Sequence, residues 1–320
     1  MRRYDFVKGI KQIFSRFDRG FLVVGVLCVL ALWPFLSRAG LPQETDAELH
    51  IFRLAELSYL VQGGEWYPRW APNFYHAYGY PIFNYYAPLS YYAGLPVELL
   101  PWFDAVTAVK FVFMLGLCLG AVGMYGFVRD NWGRPAGYVA AAVFLYTPYV
   151  QYIDPHARGV LAESFAIGLF PLALWLVDKL LRRPTAWRWI TAVLAAAAVL
   201  LSPNLLGPLF FCLLLAWVGW TWLGSRLHHN DVSGRQTALA CGGLLLALAL
   251  SAFFWLPVFL ERDAVNLVTL IGQGDNYDFH THFLNVRDML LPSMLLDWGA
   301  TEPAFRFNLG LAQWLLAGVG

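Results

Sequence analysis

The sequence predicts an all-α fold, a polytopic transmembrane helical bundle of about eight spans, on three observations. Of its 320 residues 59% are hydrophobic and 13% charged, against roughly 25% charged in soluble globular domains. Apolar runs long enough to cross a bilayer recur along the whole chain. Lys and Arg are sorted by loop, so the net charge of +1 says nothing about partners. The four cysteines (Cys28, Cys118, Cys212, Cys241) all fall inside apolar runs, at spacings that suit neither a metal site nor a disulfide framework. They read as small core residues.

Residues 1–20 form a basic tail carrying Arg2, Arg3, Lys8, Lys11, Arg16 and Arg19. An apolar run follows, Phe21 to Ser37. Ser37-Arg38-Ala39 has the look of a signal-peptidase site, but the long basic region and the many later spans favour an uncleaved first helix. Further spans are expected at 105–127, 135–150, 160–181, 187–202, 205–223 and 237–258, with an eighth beginning near Phe307. The chain stops inside that last hydrophobic segment, so it reads as a fragment or an N-terminal module. This divides it into a tail (1–20), a seven-span module (21–258), a long loop (259–306) and the start of an eighth span (307–320).

With the N-terminus inside, the inside connections hold fourteen Lys and Arg, and the outside ones seven spread over much more sequence. Positive charge stays on the cytoplasmic side. The outside then has two long loops, 38–104 and 259–306, and short turns near 151–159 and 202–204. His228-His229-Asn230-Asp231 becomes a solvated inside turn.

The first outer loop holds the densest chemistry. At 100° per residue, Asp46, His50 and Arg53 lie within about 60° of one another on a helix spanning 46–62. An acid, an imidazole and a guanidinium share one face of an otherwise apolar helix, and Gly63-Gly64 should stop it. From Trp66 to Tyr92 twelve of 27 positions are aromatic. This suits an interfacial aromatic belt. It also suits a platform for sugars or lipid headgroups, because ring faces stack on sugar C–H faces, and Arg69, Asn73, His76 and Asn84 within the run favour that second reading. Residues 88–103 should lie as a second helix along the membrane surface.

A second cluster is Asp154-Pro155-His156-Ala157-Arg158-Gly159, followed by Glu163. Asp154 suits an N-cap with Pro155 at the first position of the fourth span. Glu163 falls about one turn inside that span, where an unpaired carboxylate is expensive, so Arg158 or Arg53 should stand close. Glu261 ends the seventh span at the outer surface. His280-Thr281-His282 has the spacing of a metal pair but no partnered Cys or Glu.

Four blocks carry a family resemblance. They are Gly64-Glu65-Trp66-Tyr67-Pro68-Arg69-Trp70, then Gly79-Tyr80-Pro81-Ile82-Phe83-Asn84-Tyr85-Tyr86-Ala87-Pro88-Leu89, then Arg158-Gly159-Val160-Leu161-Ala162-Glu163, and Phe254-Trp255-Leu256-Pro257. The overall pattern resembles the GT-C superfamily of membrane glycosyltransferases. More narrowly, over most of residues 44–261, it resembles the bacterial membrane proteins called 6-pyruvoyl-tetrahydropterin synthase-related. Pterin synthases themselves are small soluble zinc enzymes with a histidine triad, and this chain has neither the triad nor a soluble domain.

The resemblance implies a protein of the bacterial inner membrane and cell envelope. Its active site would be extracytoplasmic, and its donor a polyprenyl-phosphate-linked sugar. It implies a hexosyl- or pentosyltransferase with Asp46 as general base. Some members of that superfamily bind a divalent cation (Mg or Mn) with acids of the first and second outer loops, to which Asp46, Asp154 and Glu163 would correspond, although the second cluster has no tight Asp-x-Asp pair. The catalytic set is then Asp46, Asp154 and Glu163. The substrate-binding set is His50, Arg53, Tyr67, Arg69, Trp70, His76, Tyr80, His156, Arg158 and Glu261.

Chemistry agrees, since transfer from a lipid phosphate needs a base for the acceptor hydroxyl and cations for the leaving phosphate. Arg53, Arg69, His156 and Arg158 are those cations. One carboxylate with no second nucleophile predicts inversion at the anomeric carbon. The expected partners are membrane lipid, the lipid-linked sugar and an acceptor the sequence does not specify, with no nucleic acid. Two rival readings are a lipid-linked-sugar or polymer flippase, and a non-catalytic subunit of the same fold.

Overall fold

The computed structural model describes residues 18–42, 45–202, 205–228, 232–265, 280, 283–292, 294 and 296–319. Among these the chain is all-helical, with one isolated antiparallel bridge between Ala71 and Tyr80. Helix α1 (Gly20–Leu36) precedes α2 (Ala47–Gln62) and α3 (Leu89–Glu98), which belong to the first long connection. Then come α4 (Ala105–Trp132), α5 (Arg134–Leu145) and a π-helical turn, Tyr149–Arg158. They are followed by α6 (Leu161–Arg182), α7 (Ala186–Leu200), α8 (Leu206–His228), α9 (Gly234–Leu250), α10 (Ala252–Leu260) and α11 (Leu311–Val319).

Three helices are long and apolar enough to cross a membrane: α4, α6 and α8. A fourth joins them if α9 and α10, bent by 60° at their junction, count as one span. Helices α1 and α7 are apolar but shorter. The apolar run at 135–150 is an α-helix only to Leu145, because the chain breaks over Tyr146, Thr147 and Pro148. At 12 residues, α5 rises about 18 Å, short of a hydrocarbon core near 30 Å.

Helix α4 is the central post. Asp104 caps it by accepting from the Thr107 N–H at 2.8 Å, and Gly133 ends it at φ +91°. Its glycines let α6 approach backbone to backbone. A Cβ on Gly168 would stand 2.0 Å from the Gly116 carbonyl oxygen, and one on Gly123 would stand 2.2 Å from the Leu172 nitrogen. Small residues at such crossings are how helices pack closely inside membranes.

Helix α2 buries Leu54, Leu57, Leu60 and Val61 against this bundle and leaves Leu49 and Phe52 exposed. Leu54 and Val112 close over Gly94 of α3. Helix α2 stops at Gln62 before Gly63-Gly64, with Gly64 at φ +96°. Val160, without a side-chain cap bond, precedes α6. The expected N-cap role of Asp154 is therefore corrected: Asp154 and Pro155 lie inside the π-helical turn. The four cysteines are free thiols. Glu44, most of the tail, Ser202-Pro203-Asn204 beyond Ser202, His229-Asn230-Asp231, and Thr281-His282 lie outside the described residues, as does most of 259–282.

Candidate functional site

The two clusters read from the sequence meet at the start of α2. The Asp46 N–H donates to the Arg158 carbonyl at 2.9 Å. Gly159 stands at φ +72°, and a Cβ there would fall 2.5 Å from the Ala47 nitrogen and 2.7 Å from Thr45 Oγ1. Only glycine accepts both that dihedral and that approach. Asp46 itself is exposed and makes no side-chain cap bond. Its carboxylate has no ion pair or hydrogen bond among the described residues.

Behind it, Arg158 Nη1 donates to Asp154 Oδ1 at 2.9 Å and to Glu163 Oε1 at 3.1 Å. The Tyr149 hydroxyl joins the same group, bonded to both Glu163 and Arg158. The cation demanded by Glu163 is thus Arg158 and not Arg53. Asp154 is wholly buried, and its Oδ2 has no partner. Burial first, then the negative charge of Glu163, pushes its carboxyl well above the usual carboxylate range, with Arg158 pulling the other way.

This donor set does not fit the expected divalent cation. A guanidinium, not an open position, occupies the space between Asp154 and Glu163. Among the described residues no group of three or more His, Cys, Asp or Glu side chains is arranged to hold a metal ion.

One to two turns along α2 lies a cation of a different kind. The Arg53 guanidinium stacks over the Tyr86 ring at 4.6 Å and donates to the Tyr91 hydroxyl at 3.3 Å. Burial opposes its charge, and Tyr91, Tyr86 and Tyr80 offset that cost. His50 Nδ1 shares the Tyr91 hydroxyl at 2.8 Å. Burial, then the neighbouring Arg53, lowers the His50 pKa to about 3, so the ring is neutral near pH 7. Tyr91 is fully buried, and burial holds its hydroxyl well above the ordinary tyrosine range. Arg53 therefore carries a positive charge with no carboxylate in ion-pair reach among the described residues. Asp46 is close enough to influence both Tyr91 and Asp154 electrostatically.

The aromatic stretch divides into two groups. Arg69 pairs with Glu261 at 3.5 Å, each half-exposed. Asn84 Nδ2 donates to Glu261 Oε2 at 2.9 Å, and the Tyr85 hydroxyl donates to the Glu261 carbonyl at 2.9 Å. Tyr67 packs edge-on against Phe253 at 5.2 Å. Tyr67, Arg69 and Glu261 thus tie the first connection to α10. Trp70, His76 and Tyr80 belong to a hairpin closed by the Ala71–Tyr80 bridge. The Trp70 indole covers Gly79, and Tyr75, His76 and Ala77 all have positive φ. Three consecutive left-handed non-glycine residues are strained. Glu56 clamps the hairpin by accepting from the Asn73 N–H at 3.1 Å and Nδ2 at 3.0 Å.

His156 is a correction. It was expected at the mouth of the site as a phosphate partner, but it is 3% exposed. It stacks on Phe35 at 4.3 Å and meets the edge of Trp298 at 4.7 Å. Neither ring nitrogen has a partner. Burial, then Arg38 and Lys110, lowers its pKa to about 3. It is a neutral ring in an aromatic pocket.

The structure therefore gathers Asp46, Asp154, Arg158 and Glu163 in one group, with His50 and Arg53 beside them. Sequence reasoning missed Tyr91, Tyr149, Tyr86 and Glu56, whose partners lie up to 41 positions away. A family model for a 6-pyruvoyl-tetrahydropterin synthase related domain, described as a membrane protein, matches residues 83–270. That is more than half of the chain; Asp46, His50 and Arg53 precede the matched range, and Asp154, Arg158 and Glu163 fall within it. No curated protein matches the chain.

Proposed function

The chain belongs to the 6-pyruvoyl-tetrahydropterin synthase related family of membrane proteins, and from that premise we propose that it is a GT-C-type glycosyltransferase using a polyprenyl-phosphate-linked sugar. On this reading the protein sits in a bacterial inner membrane with its N-terminus cytoplasmic. All eight apolar segments are embedded, and the 38–104 connection lies on the extracytoplasmic side. The observation that carries the reading is the placement on one helix face of an Asp46 carboxylate and an Arg53 charge, neither with an ion-pair partner among the described residues. The seven-residue offset between them gives about 10 Å of axial rise. That is the order of the distance from a base, through the acceptor hydroxyl, the anomeric carbon and the leaving phosphate in line, to a cation on the phosphate.

In the proposed step Asp46 takes the proton of the acceptor hydroxyl as that oxygen bonds to the anomeric carbon. The bond from that carbon to the phosphate oxygen breaks, its electron pair leaves on the phosphate, and Arg53 meets the added charge. One displacement inverts the anomeric centre. Arg158 is already neutralised by two carboxylates, so it positions the turn that holds Asp46 and leaves phosphate binding to Arg53. Tyr67, Arg69, Trp70, His76, Tyr80 and Glu261 supply the platform over which the sugars lie.

A flippase would place charged groups at a break in a membrane helix. The break between α9 and α10 instead falls at Ser251, between Leu250 and Ala252, and carries no charged residue. The test is a panel of polyprenyl-phosphate sugars offered to the purified protein in proteoliposomes, with short alkyl glycosides as acceptors. We expect release of polyprenyl phosphate and a product of inverted configuration from at least one donor. Consumption of none, by protein that remains folded, overturns the proposal.

A further inference from the structure

The ten-residue π-helical turn at Tyr149–Arg158 ends on the arginine whose carbonyl holds the Asp46 N–H. The π-helix is rare and mostly confined to single turns inside α-helices, and Pro155 within this one removes a backbone donor. It also starts from a broken helix end. The Thr147 N–H, which would close α5 on the Val143 carbonyl, donates to the Phe144 carbonyl at 3.3 Å instead. Pro148 has no N–H to give. Much of what fixes the shape of the turn therefore has to come from outside it.

Residues 298–313, a strap leading into the first turn of α11, supply that support. Gln313 Nε2 donates to the Val143 carbonyl at 3.1 Å and to Thr147 Oγ1 at 2.7 Å. With the Thr147 hydroxyl, which donates at 2.6 Å, it satisfies the carbonyl that the break leaves open. Gly310 stands at φ +93°, and a Cβ there would fall 2.9 Å from Pro148 Cδ. The Phe307 ring stacks on Tyr149, with centroids 6.2 Å apart and planes at 29°. The Ala304 carbonyl accepts from the Tyr152 hydroxyl at 3.4 Å. Trp298 meets Tyr152 and His156 edge-on at 4.9 and 4.7 Å. Positions 313 to 298 thus follow positions 143 to 156 in the opposite order. The strap lies outside residues 83–270, so the family match gives it no role.

We infer that Phe307 and Gln313 of this strap are positioning residues for Asp46, acting through the π-helical turn. Gln313 fixes where the turn begins. Phe307 bears on Tyr149, whose hydroxyl is bonded to Glu163 and Arg158. The Arg158 carbonyl then takes the Asp46 N–H at 2.9 Å. Arg53 stands outside this line, held by Tyr86 and Tyr91 of the first connection. Loosening the strap therefore displaces the carboxylate and leaves the phosphate cation in place.

The effect on rate rests on the proposed sugar transfer; the effect on the turn does not, and the test reads both. It uses the full chain carrying Gln313→Met, which keeps the side-chain length and removes the donor, or Phe307→Ala, with Phe307→Tyr to restore the ring. Amide exchange read by mass spectrometry should be at least about fivefold faster than in the parent over residues 45–50 and 149–160 in the first two variants. Over α4 and α6 it should keep the parent rate. In proteoliposomes kcat should fall by about 10- to 100-fold, since a misplacement of about 1 Å costs on the order of 10²-fold. The donor KM and the affinity for polyprenyl phosphate should stay within about twofold, and Phe307→Tyr should match the parent throughout. Unchanged exchange over 45–50 in both variants overturns the inference. So does exchange that rises equally through α4 and α6, which would make the strap a brace for the whole bundle. In an active protein, an unchanged kcat or a raised donor KM also overturns it. A parent that consumes no donor refutes sugar transfer alone, and exchange over 45–50 then decides the role of the strap.

Discussion

Asp46→Asn is expected to lower sugar transfer by about 10²–10⁴-fold, the usual contribution of a positioned general base, while the fold stays intact. Asparagine is as good a residue as aspartate ahead of a helix. The carboxylate makes no side-chain cap bond that the change could remove. The backbone bond from Asp46 to Arg158 does not involve the side chain and survives. Donor affinity should also survive, because Arg53 and its tyrosine partners are untouched. Turnover and donor binding measured on the same preparation separate the two effects. A variant that turns over within tenfold of the parent would remove Asp46 from the base role.

Arg158→Met should act on stability as strongly as Asp46→Asn acts on chemistry. It leaves Asp154, fully buried, without its cation, and breaking a buried pair on one side costs about 3–5 kcal/mol. The loss should depend on pH in a defined direction. Because burial and Glu163 raise the Asp154 carboxyl above its ordinary value, the folded protein holds that proton more tightly than the unfolded chain. Stability linked to this group is therefore complete below the ordinary aspartate value of about 3.9 and is lost as pH rises through the higher folded value. Arg158 offsets that loss. The gap between parent and variant should thus be widest near pH 7.5 and shrink on acidification toward pH 5. Thermal unfolding in detergent at the two pH values reads it, and a Tm gap that is absent at neutral pH, or that widens in acid, would show that Arg158 does not neutralise Asp154.

What could be read from sequence at this site was whatever spacing along one element encodes. Asp46, His50 and Arg53 fall on one face because a helix turns 100° per residue, and Gly63-Gly64 ends α2 because glycine tolerates positive φ. Asp154-Pro155 looked like a helix start on the same local logic. The turn it belongs to brings Arg158, four residues on, into reach of both Asp154 and Glu163, a contact that local capping logic does not register. Hydropathy could not divide α5 from the turn after it, since it counts apolar residues without registering the break at Tyr146–Pro148. Tyr91 was illegible for another reason. In a stretch where nearly half the residues are aromatic, nothing local marks the ring whose hydroxyl will meet an imidazole 41 positions away. Glu56, within α2, shows its role only when Asn73 folds back onto it.

The site depends most on Arg53 standing charged, about two helical turns from Asp46, with no carboxylate partner among the described residues. Its most direct measurement is the affinity of the protein for polyprenyl phosphate itself, the leaving group of the proposed reaction, in nanodiscs of neutral lipid. We expect the parent and Asp46→Asn to bind it, with Arg53→Gln weaker by about tenfold or more, since a charge-assisted phosphate contact is worth about 1.5–3 kcal/mol. Polyprenyl phosphate that binds Arg53→Gln as tightly as the parent, or that does not bind the parent at all, would contradict the account.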